Sequence, residues 1–168
     1  LGNVLSCYAA HSIDEEVRRK ASSGGIVPAL LEDLIQKGKI DAAVITKMRE
    51  RDPLKPEPFI AKNREELLLG AQSKYCPVHL ETAIEYILDN RARYAIVGLP
   101  CHIEGIRKAE MLIPRLRKRI FVHIGLFCNH TVGFLGTEFL LRRLGIKSAD
   151  VVRLDYRSRG WPGGMTVR

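Results

Sequence analysis

Two consecutive strand–helix units in the second half of the chain are the strongest constraint on its fold. An apolar run over residues 94–99 is followed by Pro100-Cys101 and then by a helical pattern. A second apolar run, over residues 120–127, is followed by Cys128-Asn129 and another helical pattern. A helical crossover is the usual way to join two parallel strands. We therefore predict an α/β fold with a mixed, largely parallel sheet flanked by helices.

The rest of the chain supplies further elements of both kinds. Asn63 is a suitable N-cap for a helix that runs to Gly70, and Gly38 is suited to end an earlier helix. A Pro-rich stretch over residues 47–58 predicts a loop or an edge strand. We predict further strands at residues 42–46, 59–61 and 151–156, and further helices at residues 26–37 and 79–90.

The last residues contain turn chemistry followed by the start of a strand. Trp161-Pro162-Gly163-Gly164 is typical of a turn, and Met165-Thr166-Val167 resembles a returning strand. We therefore expect residues 1–168 to be the N-terminal portion of a larger α/β domain whose C-terminal part is missing.

Cys101 and Cys128 each follow a predicted strand and precede a helix. In open α/β sheets, ligands bind outside the carboxyl ends of the strands. If the two strands are neighbours, both thiols face one crevice and could bind one iron–sulfur cluster, which takes four cysteines. The alternative is that they are two unrelated small apolar side chains. No disulfide is expected in a cytosolic chain, and a buried, inert thiol is the default interpretation of any one of its four cysteines.

Two other segments have the composition of a cofactor site. Ser22, Ser23, Gly24 and Gly25 precede a helix and offer hydroxyls and backbone N–H groups to a phosphate. A serine cap with tightly packed glycines would look the same. In the loop 73–75, Lys74 could supply a cation next to Ser73, and Tyr75 could stack on an aromatic ring. The alternative is that they are a surface lysine and a core tyrosine.

Two other function classes are weighed against cofactor binding. The net charge is +8, which suits a module for nucleic acid or for an acidic partner protein, but the basic runs lie in four separate predicted elements. His102 beside Cys101 suggests a Cys-dependent acyl transferase, but Pro100 stands where a nucleophile elbow requires a small residue. We rank both below a cofactor-binding function.

Five motifs follow one another along the chain. The motifs are Ala21-Ser22-Ser23-Gly24-Gly25-Ile26-Val27, Ser73-Lys74-Tyr75-Cys76-Pro77-Val78, Val97-Gly98-Leu99-Pro100-Cys101-His102-Ile103-Glu104-Gly105-Ile106-Arg107-Lys108, Gly125-Leu126-Phe127-Cys128 and Tyr156-Arg157-Ser158-Arg159-Gly160-Trp161-Pro162-Gly163-Gly164. In this order, they resemble the beta subunits of coenzyme F420-dependent hydrogenases and dehydrogenases. The resemblance covers almost the whole chain, and the order and spacing make it specific although each motif is weak alone.

The resemblance implies an electron-transfer oxidoreductase subunit that binds FAD and at least one [4Fe-4S] cluster. It implies that the flavin passes a hydride to coenzyme F420, a deazaflavin, or to a similar acceptor. Matched by position, Cys101 and Cys128 are cluster ligands, and residues 22–25 and 73–75 line the flavin site. Cys76 stands where the family does not require a cysteine, so Cys76 is interpreted as a non-ligand, as is Cys7. His102 stands where relatives often have Gln, so a catalytic role for it is not expected. We assign no residue a catalytic role.

The remaining cluster ligands are expected after residue 168, so both cofactors should be incomplete or absent in residues 1–168, and this piece alone should be inactive. Expected partners are hydrogenase- or dehydrogenase-type subunits and the anionic deazaflavin, which would give the positive charge a use. No apolar run reaches the roughly 18 residues of a bilayer span. We therefore expect a cytoplasmic protein without a membrane span.

Overall fold

A computed structural model describes residues 3–168 of the chain. The strands are β1 (Ala42–Met48), β2 (Pro56–Ala61), β3 (Tyr94–Gly98), β4 (Ile120–Gly125), β5 (Leu154–Ser158) and β6 (Gly164–Val167). The helices are α1 (Glu15–Lys20), α2 (Ile26–Gln36), α3 (Arg64–Leu69), α4 (Glu81–Asp89), α5 (Pro100–Leu112), α6 (Pro114–Arg119) and α7 (Phe134–Arg143). A short 3-10 turn occupies Ser148–Asp150.

The main sheet has four strands in the order β2-β1-β3-β4. β1 and β3 are parallel, β3 and β4 are parallel, and β2 pairs with β1 in the antiparallel direction. The two predicted strand–helix units are therefore neighbours in the sheet, as expected. Pairing of β3 with β4 extends to Gly98 opposite Gly125, which puts the ends of these two strands side by side.

Helices cover both faces of this sheet, as predicted. On one face, Val44 and Ile96 pack against Ile87 of α4, Ile106 of α5 and Leu116 of α6. On the other face, the apolar cluster comes from α2, the connection from α2 to β1, α3 and the strands, and consists of Leu31, Ile40, Ala43, Ile45, Ala61, Leu67 and Ala95. Burial of both faces explains why β1 and β3 are almost continuously apolar.

A second, two-stranded sheet was not predicted as a separate unit. β5 pairs with β6 in the antiparallel direction, with Leu154 opposite Val167 and Ser158 opposite Gly164. The predicted strand at residues 151–156 is therefore displaced toward residue 158, while the returning strand after the turn is confirmed. This sheet packs with α7 and with the loop before α4 around a third apolar cluster, Cys76, Leu141, Val151, Leu154 and Tyr156.

Among the other differences from the sequence prediction, two concern the bounds of elements and one concerns a helix that was not predicted. β4 ends at Gly125 rather than at residue 127, because the Leu126 N–H makes a last bond to the Gly98 carbonyl (2.9 Å) and the chain then leaves the sheet. α5 begins at Pro100 and so includes Cys101 in its first turn. α6 was not predicted, because Leu116 is its one buried residue and therefore provides no apolar periodicity.

Two of the four basic runs come together in space, which corrects the view that they are dispersed. The run over residues 91–93 precedes β3, and the run over residues 115–119 precedes β4. Because β3 and β4 are parallel neighbours, the segments that enter them meet at the amino edge of the sheet. Arg91, Arg93, Arg115, Lys118 and Arg119 line one open basin there, together with Asp41 and Ala92.

One arginine ties the N-terminal segment to the body of the fold. The Arg64 guanidinium contacts the carboxylates of Asp14 (2.6 Å), Glu16 (3.1 Å) and Glu32 (2.8 Å). The backbone N–H of Val17 and the Arg64 charge hold the pKa of Asp14 below its ordinary value, while hydrogen bonds from Lys20 and Arg64 lower that of Glu16. This network joins α1, α2 and α3 around one cation.

We expect Arg64→Met to lower the thermal midpoint by a few degrees, because three carboxylates lose their shared partner. The difference should shrink in high salt. It should also shrink as the pH falls below about 4, because carboxylates with lowered pKa values stabilise the fold only while they are ionised. Arg107→Met is the matched control, since Arg107 is exposed and has no carboxylate partner within residues 3–168. Equal midpoints for the two variants would contradict this role of Arg64.

Candidate functional site

The carboxyl edge of the main sheet brings the predicted site segments to one end of the fold. β1, β3 and β4 are parallel and adjacent, so all three end at this edge. Cys101 lies three residues after Gly98, and Cys128 lies three residues after Gly125, the partner of Gly98 in the register. Both thiols are exposed. The two cysteines therefore follow equivalent ends of neighbouring strands, as the iron–sulfur hypothesis requires.

The histidines near these cysteines are directed elsewhere. The Nδ1 atom of His102 accepts a hydrogen bond from the Leu99 backbone N–H (3.3 Å), which turns the ring toward the start of α5. His123 bonds the largely buried Glu110 carboxylate through Nε2 (2.8 Å). Within residues 3–168 no hydrogen bond joins Cys101 to a histidine, so the geometry gives no support to a nucleophile–base pair of the acyl-transfer type.

The Ser22–Gly25 segment is shaped first by packing. Gly25 is the N-cap of α2 and has a φ of 72°, a left-handed conformation that favours glycine. A Cβ atom on Gly24 would lie 2.9 Å from the Ala10 carbonyl oxygen and 3.2 Å from the His11 Cα. The Gly24 carbonyl accepts a bond from the Ser12 N–H (2.7 Å). These contacts explain both glycines without a ligand.

We expect Gly24→Ala to lower the free energy of unfolding by about 1–3 kcal/mol, because the new methyl group meets backbone atoms that cannot rotate away. The matched control is Gly105→Ala in α5, where a Cβ would meet nothing within 4 Å and should stabilise the helix by about 0.5–1 kcal/mol. Urea denaturation of both variants measures the difference. If Gly24→Ala kept full stability and only lost flavin, Gly24 would instead serve close approach of a ligand.

A hydrogen bond joins the two segments that were predicted to share a cofactor. The Ser22 Oγ accepts from the Ser73 backbone N–H at 2.7 Å, although the two residues are 51 positions apart. Ser22 and Ser73 are both partly buried, whereas Ser23 is exposed. The structure therefore brings residues 22–25 and 73–75 together.

Lys74 is folded back on its own loop. Its Nζ donates to the carbonyl oxygens of Gly70 (2.7 Å), Ala71 (2.7 Å) and Gln72 (3.0 Å), which uses all three of its hydrogen-bond donors. Burial lowers the pKa of Lys74 to about 8, an effect that the negative charge of Asp155 partly opposes. The ammonium therefore contributes charge to its surroundings, and a direct bond to a ligand would replace one of these carbonyl bonds.

Tyr75 and Cys76 belong to the third apolar cluster. The Tyr75 ring packs edge-on against Tyr156, with centroids 5.9 Å apart. A ligand ring stacked on Tyr75 would therefore contact a side chain that already packs against Tyr156. Burial raises the pKa of the Cys76 thiol and raises that of Tyr156 to about 12. Metals bind the thiolate form of cysteine, so the raised pKa agrees with the interpretation of Cys76 as a non-ligand.

A cleft of about 570 Å³ opens beside these residues. Ser73 and Lys74 form part of its wall, at the carboxyl end of β1 and next to β5. Its other charged wall residues are Lys20, Lys47, Arg49, Glu50, Glu65, Arg153 and Asp155. The volume lies in the range of about 300–1,000 Å³ that is usual for ligand and cofactor sites. The surplus of cations suits an anionic ligand.

Sequence reasoning missed two cations of this cleft, Lys47 in β1 and Arg153 in the residue just before β5. Lys47 lies over the Phe59 ring at 4.6 Å, and Arg153 pairs with Asp155 at 2.8 Å. Lys47 could have been predicted, because Lys47-Met48-Arg49 stands where the predicted strand β1 reaches the carboxyl edge of the sheet. No local signal marked Arg153, because β5 approaches the cleft only through the packing of the second sheet.

Two further features are absent from the described residues. No group of three or more Cys, His, Asp or Glu side chains is gathered as a metal site within residues 3–168. Over the same residues, the helices are all too short or too polar to span a bilayer.

Comparison with known proteins identifies two matching family models. The model for the N-terminal part of the coenzyme F420 hydrogenase/dehydrogenase beta subunit matches residues 7–85, and the model for the C terminus of the same beta subunit matches residues 91–168. The chain is 27% identical to coenzyme F420 hydrogenase subunit beta of Methanosarcina barkeri over 168 residues, which cover 95% of this chain and 56% of that protein. It is 29% identical over 152 residues to the coenzyme F420-dependent sulfite reductase of Methanocaldococcus jannaschii, covering 82% and 24% of the two chains.

A solved structure has the same fold. It is a chain of the F420-reducing [NiFe] hydrogenase complex from Methanosarcina barkeri, with a TM-score of 0.72 and 21% identity. The similarity covers 94% of the present chain and 57% of the hydrogenase chain. The present chain thus spans about half the length of several of the relatives that it matches.

Proposed function

This chain belongs to the coenzyme F420 hydrogenase/dehydrogenase beta subunit family, and on that premise we propose that it is part of an electron-transfer oxidoreductase subunit. Electrons would pass between a [4Fe-4S] cluster, FAD and coenzyme F420 or a similar two-electron acceptor. The names of two relatives, a hydrogenase subunit and a sulfite reductase, share the coenzyme and differ in the other reactant. Coenzyme F420 is therefore the redox partner that both names share, as the electron acceptor beside a hydrogenase and as the donor where sulfite is reduced.

The observation that carries the proposal is the hydrogen bond between Ser73 and Ser22 at the edge where the parallel strands end. It joins the two proposed flavin-binding segments beside the cleft. Ser73 would offer its hydroxyl, and Lys74 would supply positive charge to an anionic cofactor in the cleft. The donors present suit the phosphate part of FAD, which needs hydroxyls and cations.

The proposed cluster ligands are Cys101 and Cys128. Their chemistry suits a [4Fe-4S] cluster, which thiolates hold, and their equivalent placement after Gly98 and Gly125 supports a shared site. Two cysteines supply half of a four-cysteine ligand set. The other two ligands would come from elsewhere in a longer protein.

When bound, the flavin supplies the exchange between one-electron and two-electron carriers. The chain's own contribution would be position and electrostatics. Lys74, held by three carbonyls, keeps a positive charge near the cleft, and Ser22 fixes the backbone of Ser73. The surplus of cations around the cleft would also attract the acidic tail of the deazaflavin. Hydrogenase- or dehydrogenase-type subunits are the proposed partners.

The test is made on the full-length protein, purified without oxygen. We expect it to contain FAD and iron, and to reduce coenzyme F420 when a chemical reductant supplies electrons. Absence of both flavin and iron from correctly folded full-length protein would reject the proposal. If the protein contained flavin and iron but did not reduce coenzyme F420, the proposed cofactors would stand and the proposed acceptor would be rejected.

A further inference from the structure

The basin at the amino edge of the main sheet lies at the opposite end of the parallel strands from the proposed cofactor site. Its volume is about 600 Å³, and its wall consists of five cationic side chains, one carboxylate and Ala92. Arg91 and Arg93 come from the segment before β3, and Arg115, Lys118 and Arg119 come from α6. Nothing in the proposed electron transfer uses this surface.

Most of the positive charge in the basin is not neutralised by the chain itself. Arg93 pairs with Asp41 (3.2 Å), and Arg119 donates to the Ile87 carbonyl. Within residues 3–168, no carboxylate lies within 4 Å of the nitrogens of the exposed Arg91, Arg115 and Lys118. Three like charges thus line one concave surface, and an anionic occupant would relieve their mutual repulsion.

The pair between Arg93 and Asp41 shows what chemistry the basin accepts. The Arg93 backbone N–H (2.7 Å) and Nε (3.4 Å) donate to one oxygen of the carboxylate, and its terminal nitrogen donates to the other at 3.2 Å. A second carboxylate would meet similar donors on Arg91 and Arg115. Arginine forks are the side chains best matched to planar carboxylates.

Nucleic acid fits this surface less well. Among residues 3–168, those that line the basin include no aromatic side chain on which a base could stack. α6 has six residues and is therefore only about 9 Å long, too short to enter and read a DNA groove.

We propose that the basin is a docking surface for a carboxylate-rich segment on a partner protein. With Ala92 as its one apolar lining residue, the surface offers little hydrophobic area. The association is therefore electrostatic, quick to form and sensitive to ionic strength. Because the basin and the carboxyl edge lie at opposite ends of the strands, a partner held here leaves the cofactor edge accessible.

The probe is a fluorescently labelled polyglutamate peptide, and its binding to the full-length protein is followed by anisotropy at low salt. We expect the double variant Arg115→Glu with Lys118→Glu to bind the peptide at least about tenfold more weakly than the wild type. Arg91→Gln, on a different segment, should weaken binding in the same direction and by less. Flavin content should not change in any of these variants, which separates this test from that of the proposed function.

The matched control is Arg142→Glu with Arg143→Glu, which makes the same change in net charge in the last turn of α7. It should leave peptide affinity within about twofold of the wild type, allowing for weak long-range charge effects. Equal weakening by the two double variants would mean nonspecific attraction and would overturn the proposal. It would equally be overturned if inorganic phosphate displaced the peptide at matched ionic strength, if single-stranded DNA bound the same residues more tightly, or if the peptide failed to bind.

Discussion

Replacing Cys101 or Cys128 by alanine in the full-length protein is expected to remove essentially all the iron of one cluster. A four-cysteine cluster depends on each thiolate, and both side chains stand at equivalent ends of neighbouring strands. Both cysteines are exposed, so the substitutions should change the free energy of unfolding by no more than about 0.5 kcal/mol. Iron analysis and the visible spectrum of anaerobically purified variants measure the first effect, and urea denaturation measures the second.

Cys7→Ala is the matched control, because Cys7 is also an exposed, unbridged cysteine. It should retain the iron content of the wild type. Full iron in both the Cys101 and the Cys128 variant would show that these residues are not ligands. Loss of iron together with loss of folding would be assigned to the fold, and the denaturation curves separate that case from loss of a ligand.

Flavin affinity is expected to fall as the pH rises through about 8, the pKa to which burial lowers Lys74. An anionic cofactor in the cleft stabilises the protonated ammonium, so binding above this pKa must take up a proton and becomes weaker. Below it, Lys74 is already charged and contributes no pH dependence. Lys74→Met should weaken FAD binding at neutral pH by about tenfold, in line with roughly 1.5 kcal/mol for a charge-assisted contact.

Lys74→Arg is the informative companion variant, since arginine keeps its charge throughout this range. Its affinity for FAD should not decline near pH 8. The affinity of Lys74→Met should be low and should not change with pH over the same range. The Met variant also leaves three carbonyls without Nζ, so its thermal midpoint must be measured beside its affinity. A wild-type decline that persisted unchanged in both variants would exclude Lys74 as its origin.

Much of the main sheet could be predicted from the sequence because its signals are local. The apolar runs of β3 and β4 are each followed by a helix, and Asn63 caps α3 as expected, with its Oδ1 accepting the Glu66 N–H at 2.9 Å. α6 and the separate pairing of β5 with β6 were missed. α6 has one buried residue, Leu116, and so leaves no periodic pattern. The separation of β5 and β6 from the main sheet depends on packing with Leu141 of α7 and with Cys76, which are distant or irregular in the sequence.

Some features of the candidate site could also be predicted from the sequence, and others could not. Position at a strand end pointed to Cys101 and Cys128, and the structure confirms that their strands are neighbours. The bond from Ser73 to Ser22 joins residues 51 positions apart, and the carbonyl cage around Lys74 depends on the fold of residues 70–72. Neither had a local signal. The basic runs before β3 and β4 looked separate for a related reason, since only the parallel pairing brings them together.

The prolines of β2 decide on which side the sheet can grow. Pro56 and Pro58 lie opposite Met48 and Thr46. The bond from the Arg49 N–H to the Lys55 carbonyl (2.9 Å) shows that the backbone groups of Lys55 face β1, and in an antiparallel pair this alternates with residues whose groups face away. At both prolines the missing N–H is therefore the one that would face away from β1, so the outer edge of β2 is a poor template for another strand. A strand added by a partner, or by the rest of a longer protein, would have to join along β4. It would then lie next to the strand that leads to Cys128, and assembly would extend the sheet toward the proposed metal centre.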